Sequence, residues 1–487
     1  MKLEEALTFD DILIKPDLSK VLPKEVNTET KFSREININI PLVSAAMDTV
    51  TEAKLAISVA QSGGIGVIHK NNSIEQQASE IIKVKKYESG TVVDPVTISL
   101  DDNLEKLLEL KKKFNISGFP VVDTNKKVVG IITNRDVRFA KNNKQPVKEL
   151  MTSSELITVK EGVSKSQALE ILHNKKIEKL IIVDEDHKCV GLVTVTDIEK
   201  SQKYPLATKD NIGRLRVGAA TGVGSEGIKR AEEIVKAGAD ALVLDTAHGH
   251  SSRVLDTIKE IKKKFKDTIQ VIAGNVATID AAKYLIDEGV DGIKVGIGPG
   301  SICTTRIIAG VGVPQFSAIY DIYQALKVKS IPIIADGGIR YSGDVAKAIG
   351  AGADSVMIGS LLAGTEESPG DVFLYQGRSY KSYRGMGSLA AMEKGSSDRY
   401  FQQDLQDKLK LIPEGVEGRV PFKGACSEVI FQLVGGLRAA MGYTGNETIL
   451  EMKKNCKFIK ITAAGFKESH IHDITVTREA PNYKTER

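Results

Sequence analysis

Short apolar runs ending in Gly, Ala, Ser or Asp recur along the chain between stretches of helical periodicity: residues 41–44, 64–68, 217–220, 241–245, 270–273, 292–295, 332–336 and 355–358. Runs this short, with little polar alternation, predict strands buried on both faces, as in parallel sheets. Several follow a helix-stopping glycine: Gly238 before the fourth run, Gly289 before the sixth, Gly350 and Gly352 before the eighth. Glycine just past a helix end supplies the left-handed cap that turns the chain back toward the sheet. Eight strand-then-helix units predict an α/β fold, a closed (β/α)8 TIM barrel.

Between the second and third runs lie about 150 residues where one helix would suffice. That stretch repeats itself. Gly-Ile-Ile-Thr-Asn-Arg-Asp-Val at 130–137 returns as Gly-Leu-Val-Thr-Val-Thr-Asp-Ile at 191–198, and Asp123 returns as Asp184, each 61 residues on (191 − 130, 184 − 123). Two copies at one period predict a tandem module inserted into the barrel. The expected division is barrel over 1–91 and 204–487, with the insert over 92–203 and its halves near 92–147 and 148–203. In each copy a Thr-x-x-Asp precedes the last helix, where Asp136 and Asp197 either cap that helix or bind a ligand.

A length of 487 residues is too great for one ordinary core but suits a large barrel with an insert. The 41% hydrophobic and 27% charged fractions are those of a soluble globular protein, and no run approaches the ~18 apolar residues of a membrane helix. The acidic start Met1-Lys2-Leu3-Glu4-Glu5 does not read as a signal peptide. Cysteines 189, 303, 426 and 456 form no CxxC pair, which suits a reducing cytoplasm. A net charge of +4 is small for this length, and the lysines at 111–113 and 262–264 fall in helical patterns, so solvated faces rather than nucleic acid contacts are expected.

The strongest chemical signal is Gly298-Pro299-Gly300-Ser301-Ile302-Cys303-Thr304-Thr305-Arg306, directly after the sixth run. A thiol among backbone N–H groups, hydroxyls and Arg306 favours the nucleophilic thiolate, and barrel chemistry sits at the C-terminal ends of the strands. The loops after the seventh and eighth runs, Asp336-Gly337-Gly338 and Gly359-Ser360, offer glycine N–H groups at helix starts, an anion site, while Asp336 suits ribose hydroxyls. The expected substrate is a nucleoside or sugar monophosphate.

Gly222-Val223-Gly224-Ser225-Glu226-Gly227, with Asp245 at the end of the next run, has the form of a dinucleotide-binding fingerprint. A Rossmann domain would leave six other strand-helix units unexplained, so Asp245 is read as a barrel-loop residue for a nicotinamide cofactor's ribose. His248 with His250, and His470 with His472, lack the further ligand a zinc site needs and are read as loop histidines. From about 383 to 424 the barrel pattern stops, and a segment rich in glycine and charge predicts a mobile flap over the site.

The cysteine loop, Ala335-Asp336-Gly337-Gly338-Ile339, Tyr383-Arg384-Gly385-Met386-Gly387 and the paired insert together resemble the IMP dehydrogenase / GMP reductase family, from Phe9-Asp10-Asp11 to Glu468-Ser469-His470-Ile471-His472-Asp473. The insert resembles a tandem pair of CBS domains. The resemblance implies NAD-dependent oxidation of inosine 5′-monophosphate (IMP) to xanthosine 5′-monophosphate (XMP), the committed step of guanine nucleotide synthesis. Cys303 would attack C2 of the purine, hydride would pass to NAD, and the covalent thioimidate would be hydrolysed.

By the same resemblance Ser301, Asp336, Gly337, Gly338, Gly359, Ser360, Tyr383, Arg384, Gly385, Met386, Gly387 and Glu414 contact the nucleotide, and Asp245, Asn275, Gly296, Ile297 and Gly298 lie near the dinucleotide. A potassium ion is implied on carbonyls of Gly298, Gly300 and Cys303, joined by Glu468, Ser469 and His470 of a neighbouring subunit. That sharing requires an oligomer, in this family a homotetramer, with octamers through the CBS pair. After NADH leaves, Arg399 and Tyr400 would take its place, Arg399 helping to deprotonate water through a relay with Thr305 and Tyr400, since free arginine is a poor base. The CBS cleft would take adenine or guanine nucleotides, with Asp136 and Asp197 at the ribose. Two alternatives stay open: GMP reductase, which usually lacks the insert and the hydrolytic flap chemistry, and a catalytically inactive nucleotide sensor.

Overall fold

The computed structural model describes residues 3–87, 92–93, 95–114, 116–138, 140, 142–195, 198–199, 203–402 and 410–483. The chain divides into two compact units, Met1–Ile81 with Val217–Arg487, and Ile82–Arg216.

In the first unit all eight apolar runs are strands: β1 (Leu42–Ser44), β2 (Ile65–Ile68), β3 (Val217–Thr221), β4 (Ala241–Asp245), β5 (Gln270–Val276), β6 (Gly292–Val295), β7 (Ile333–Asp336) and β8 (Ser355–Ile358). They close in the order β1 to β8, each parallel to its neighbours and β8 paired back to β1. The continuous apolar character of the runs follows from burial on both faces. Val43, Val67, Val243, Ile272, Ile334 and Met357 pack together as one set of alternate positions filling the barrel. Their neighbours Leu42, Leu244, Ile293, Ile333, Val356 and Ile358 join a second cluster with the helices outside.

The helix Ser252–Phe265 shows how the outer layer is specified. Its buried Val254, Leu255, Ile258 and Ile261 form one stripe, while lysines 262–264 fall in its last turn, where cations suit the helix dipole. Lys262 pairs with Asp291 at 2.6 Å and Lys264 with Glu232, so this lysine cluster serves the helix surface.

One irregularity shapes the mouth. The register of β5 against β6 shifts between Gly274 and Val276. Such a bulge re-aims a side chain, and here Asn275 Nδ2 donates to Gly296 O at 2.6 Å and to Asp336 Oδ2 at 2.9 Å.

The second unit contains the expected segment 92–203. Its two hairpins, Gly118–Val122 with Val128–Thr133 and Lys179–Val183 with Cys189–Thr194, keep the repeat offset strand by strand. Each follows a helix, Leu104–Phe114 or Lys165–Lys175, and Val92–Val93 adds itself to the second copy's sheet. Asp136 caps the short helix Asn134–Val137, accepting from the Thr133 backbone N–H at 2.7 Å and from the Thr152 hydroxyl at 3.0 Å. Asp197 lies outside the described residues. Among the described residues no helix is long and apolar enough to cross a membrane.

Candidate active site

The C-terminal ends of the strands surround two adjoining hollows that share Pro299, Gly300, Gly337, Gly359 and Tyr383. The first holds Cys303, Thr305, Asp336, Asn275, Asp245, Arg399, Tyr400 and Glu414; the second holds Ser301, Gly338, Ser360 and Arg340.

Cys303 is half-buried, its Sγ 3.2 Å from the Thr305 hydroxyl. Its loop turns back on itself, with the Cys303 N–H donating to Gly300 O at 3.1 Å, and is stitched to the far limb of the flap. The Thr304 N–H donates to Glu414 O at 2.9 Å and the Val416 N–H to Ile302 O at 3.0 Å. Arg306, expected beside the thiol, gives its hydrogen bonds to the carbonyls of Ile297 at 3.1 Å and Val313 at 2.5 Å, and so braces the loop.

Behind the cysteine lies a charged cluster. Lys294 on β6 is 2% exposed, and its ammonium lies 2.8 Å from Asp245 Oδ1 and 2.7 Å from Asp336 Oδ2, also contacting Asn275. A buried ammonium needs such countercharge to stay ionised. Gln315 donates to Val295 O at 2.9 Å and Asp336 O at 3.2 Å, fixing the end of β7.

At the second hollow Gly337 and Gly338 have φ of 92° and 83°, a left-handed backbone that suits glycine. Arg340 lines this hollow but is paired with Asp10. Tyr383 bridges both hollows as a buried phenol. Burial raises its pKa strongly, outweighing the opposing hydrogen bond with Ser301, so the hydroxyl is neutral.

The flap is rooted in a three-stranded antiparallel sheet of Phe373–Tyr375, Arg378–Arg384 and Glu417–Pro421. Between its limbs, helix Leu389–Lys394 and the turn Ser396–Tyr400 deliver Arg399 and Tyr400 into the first hollow. The Arg399 guanidinium pairs with Asp245, and the Ala247 N–H donates to Arg399 O at 3.0 Å. Burial pushes the Tyr400 phenol up, against the lowering effect of Arg399.

Other expected residues fall elsewhere. Arg384 does not line the hollows; it is ion-paired with Asp48, which also accepts from Asn71 at 2.7 Å, and so anchors the near limb of the flap. The Gly387 carbonyl accepts from the Glu414 N–H at 3.0 Å, tying the limbs together. Glu468, Ser469 and His470 line neither hollow: His470 Nδ1 lies 2.9 Å from the Tyr483 hydroxyl, with its ring against Tyr341 and Phe466. His250 packs edge-on to Tyr284, and among the described residues no group of three His, Cys, Asp or Glu could hold a metal ion. Gly222 to Gly227 form the loop after β3, feeding helix Gly224–Lys236 of the barrel rather than of a Rossmann domain.

Sequence reasoning passed over Lys294, Gln315, Asp48 and Lys70. Only Lys294 carried a signal, a charge inside an apolar run.

A nucleophile-bearing loop and two glycine turns at the mouth of a closed parallel barrel, under a folded flap, define a barrel enzyme. The chain belongs to the IMP dehydrogenase / GMP reductase family, whose domain model matches residues 6–472. It is 56% identical over 485 residues to the inosine-5′-monophosphate dehydrogenase of Aquifex aeolicus, covering 99% of this chain and 98% of that one. To the enzyme of the same name from Escherichia coli it is 54% identical over 482 residues, covering 99% and 98%. Among solved structures, GMP reductase C318A from Trypanosoma brucei, in complex with guanosine 5′-monophosphate, is similar with a TM-score of 0.88 and 39% identity over 97% of this chain and 99% of its own. With that coverage the match to this reductase includes the inserted region, so the insert alone does not separate the two activities.

Proposed function

We propose that this chain oxidises IMP to XMP with NAD+, a step of guanine nucleotide synthesis. The observation that carries this reading is the convergence of Cys303 with Arg399 and Tyr400 in one hollow, which joins the cysteine loop to a flap suited to a second, hydrolytic half-reaction. Relatives that align over nearly the whole chain bear the dehydrogenase name.

In this reading the phosphate rests on the backbone of Gly337, Gly338, Gly359 and Ser360 with the Ser301 hydroxyl, and Asp336 takes the ribose. Tyr383, Gly385, Met386 and Glu414 bound the purine end. The Cys303 sulfur bonds to C2 as the hydrogen on C2 departs as hydride. Water then adds to the same carbon, the C–S bond breaks, and the thiolate is restored. Thr305, 3.2 Å from the sulfur, is placed to exchange its proton.

NAD+ supplies the hydride acceptor when bound. Asp245 and Asn275, with Gly296, Ile297 and Gly298, fit its polar edge. Arg399 Nε is buried without a hydrogen-bond partner although its guanidinium meets Asp245, as expected where a flap residue stands in for a better-matched ligand. Arg399 and the dinucleotide therefore alternate at Asp245, and the folded flap belongs to the hydrolytic half.

Potassium on the carbonyls of Gly298, Gly300 and Cys303 fits the donor chemistry, since neutral peptide oxygens suit a hard cation, and the Gly300 carbonyl keeps a lone pair beyond its bond from the Cys303 N–H. Because His470 packs against Tyr341 and Tyr483 of its own chain, and neither it nor Glu468 or Ser469 lines the hollows, the three would complete that site only in an oligomer, read as a homotetramer. The CBS-type pair would take adenine or guanine nucleotides, displacing the capping contacts of Asp136. Four free cysteines accord with a cytoplasmic enzyme.

The structural neighbour favours a second reading, GMP reductase. Two assays decide. NAD+ reduction with IMP, and a mass shift on Cys303 in quenched turnover mixtures, are expected. NADPH oxidation with GMP and none with IMP would transfer the assignment to the reductase. Loss of turnover when potassium is replaced by tetramethylammonium tests the cation.

A further inference from the structure

Next to Arg399 on the flap, Asp398 forms an ion pair with Lys70, which follows β2. Lys70 is 8% exposed in its side chain, so its ammonium is nearly withdrawn from water. Burial lowers its pKa against the raising effect of Asp398, and Arg399 and Arg230 add like charge on the same side. Arg230, on the helix after β3, donates to Gln77 at 2.8 Å and to Asn72 O at 3.0 Å and is itself within the field of Asp398.

The carboxylate also has a shaped seat. A Cβ placed on Gly222, in the loop after β3, would stand 2.5 Å from Asp398 Oδ2, so a larger residue there would displace the carboxylate from its place beside Lys70. Two cations and a missing side chain, drawn from the loop after β2 and the loop and helix that follow β3, thus converge on one flap residue.

We propose that Lys70 and Gly222 form a latch for Asp398 that holds the flap closed and so positions Arg399 and Tyr400 for hydrolysis, without taking part in hydride transfer. With the flap open, Lys70 loses the carboxylate that faces it while Arg230 stays on the same side. Closure is therefore favoured by the difference in Lys70's surroundings between the two states. The inference rests on the two-step reading of the reaction given above.

Single-turnover experiments, with enzyme in excess over IMP and saturating NAD+, follow NADH formation by stopped flow and the Cys303 adduct by quenched mass spectrometry. For Lys70→Met, Asp398→Asn and Gly222→Val, NADH formation is expected to keep the parent rate while decay of the adduct slows about tenfold. The charge exchange Lys70→Asp with Asp398→Lys should recover part of the lost rate. Unaltered NADH formation also certifies that each variant is folded. Equal slowing of both steps, or unchanged adduct decay in all three single variants, overturns the latch. Absence of any Cys303 adduct in the unaltered enzyme overturns the two-step reading, and the latch with it.

Discussion

Lys294 lies between Asp245 and Asp336, 2.8 Å from one carboxylate and 2.7 Å from the other, and sets the spacing of the two sides of the cleft. In the proposed reading Asp336 serves the substrate, and Asp245 the place where flap and dinucleotide alternate. Removing the ammonium leaves the buried Asp245 and the half-buried Asp336 carboxylates without a cation between them. Lys294→Met is expected to lower stability by about 3–5 kcal/mol, the range for breaking a buried ion pair by one partner. It should also cut kcat/KM for IMP by about a hundredfold through misplacement of Asp336. Lys294→Arg should retain more of both. Thermal melts and steady-state kinetics check this; a Met variant that melts and turns over like the parent would refute the role.

The contrast between Lys294 and the barrel strands shows what the sequence could carry. Strand positions were legible because burial on both faces writes a short, largely apolar run at each of the eight places. The cysteine loop was legible because glycine and hydroxyl residues crowd one short segment. Lys294, by contrast, acts through carboxylates at the ends of two other strands, and Lys70 through a flap residue with a sequence separation of 328. Pairings so remote leave no local pattern. The Arg384 side chain shows the same limit: its partner, Asp48, lies beyond β1, and nothing near Arg384 announces that its charge is already matched.

Cys303→Ser keeps the approximate size of the side chain and its contact with Thr305 but replaces a strongly nucleophilic sulfur by a weakly nucleophilic hydroxyl oxygen. IMP binding, read by calorimetry, should change little, while NADH formation falls by about a thousandfold or more. Turnover near the parent rate would remove the nucleophile from the proposal.

Arg399→Ala removes the group that meets Asp245 in the folded flap. In the proposed cycle hydride transfer takes place with the flap out of the way, so NADH formation in the first turnover should stay within about threefold of the parent, while hydrolysis slows by about 10²–10⁴, the range for loss of a proton-transfer partner. Tyr400→Phe should show the same partition more weakly, since burial already holds its phenol protonated. Equal slowing of both steps would count against a role confined to hydrolysis.

The Asp48–Arg384 pair gives the flap root a defined response to pH. Burial pushes the Asp48 carboxyl up, but hydrogen bonds from Arg384 and Asn71 and the adjacent guanidinium outweigh it, and the net pKa is below the ordinary carboxylate value. A carboxylate lowered in the folded state stabilises the fold above its unfolded pKa, about 4, and loses that contribution as pH falls through the folded value. Arg384, raised by the same contact, stays a cation throughout this window. Asp48→Asn cannot ionise and so lacks this dependence. At pH 6–8 it should be less stable than the parent by about 1.5–3 kcal/mol, the worth of hydrogen bonds to a charged group, and the gap should close as pH drops below about 4. The other carboxylates titrate alike in both proteins and cancel in the difference. Paired urea melts across this range read the gap directly; one that stays constant to the lowest pH would show that the Asp48 charge contributes nothing to holding the flap root.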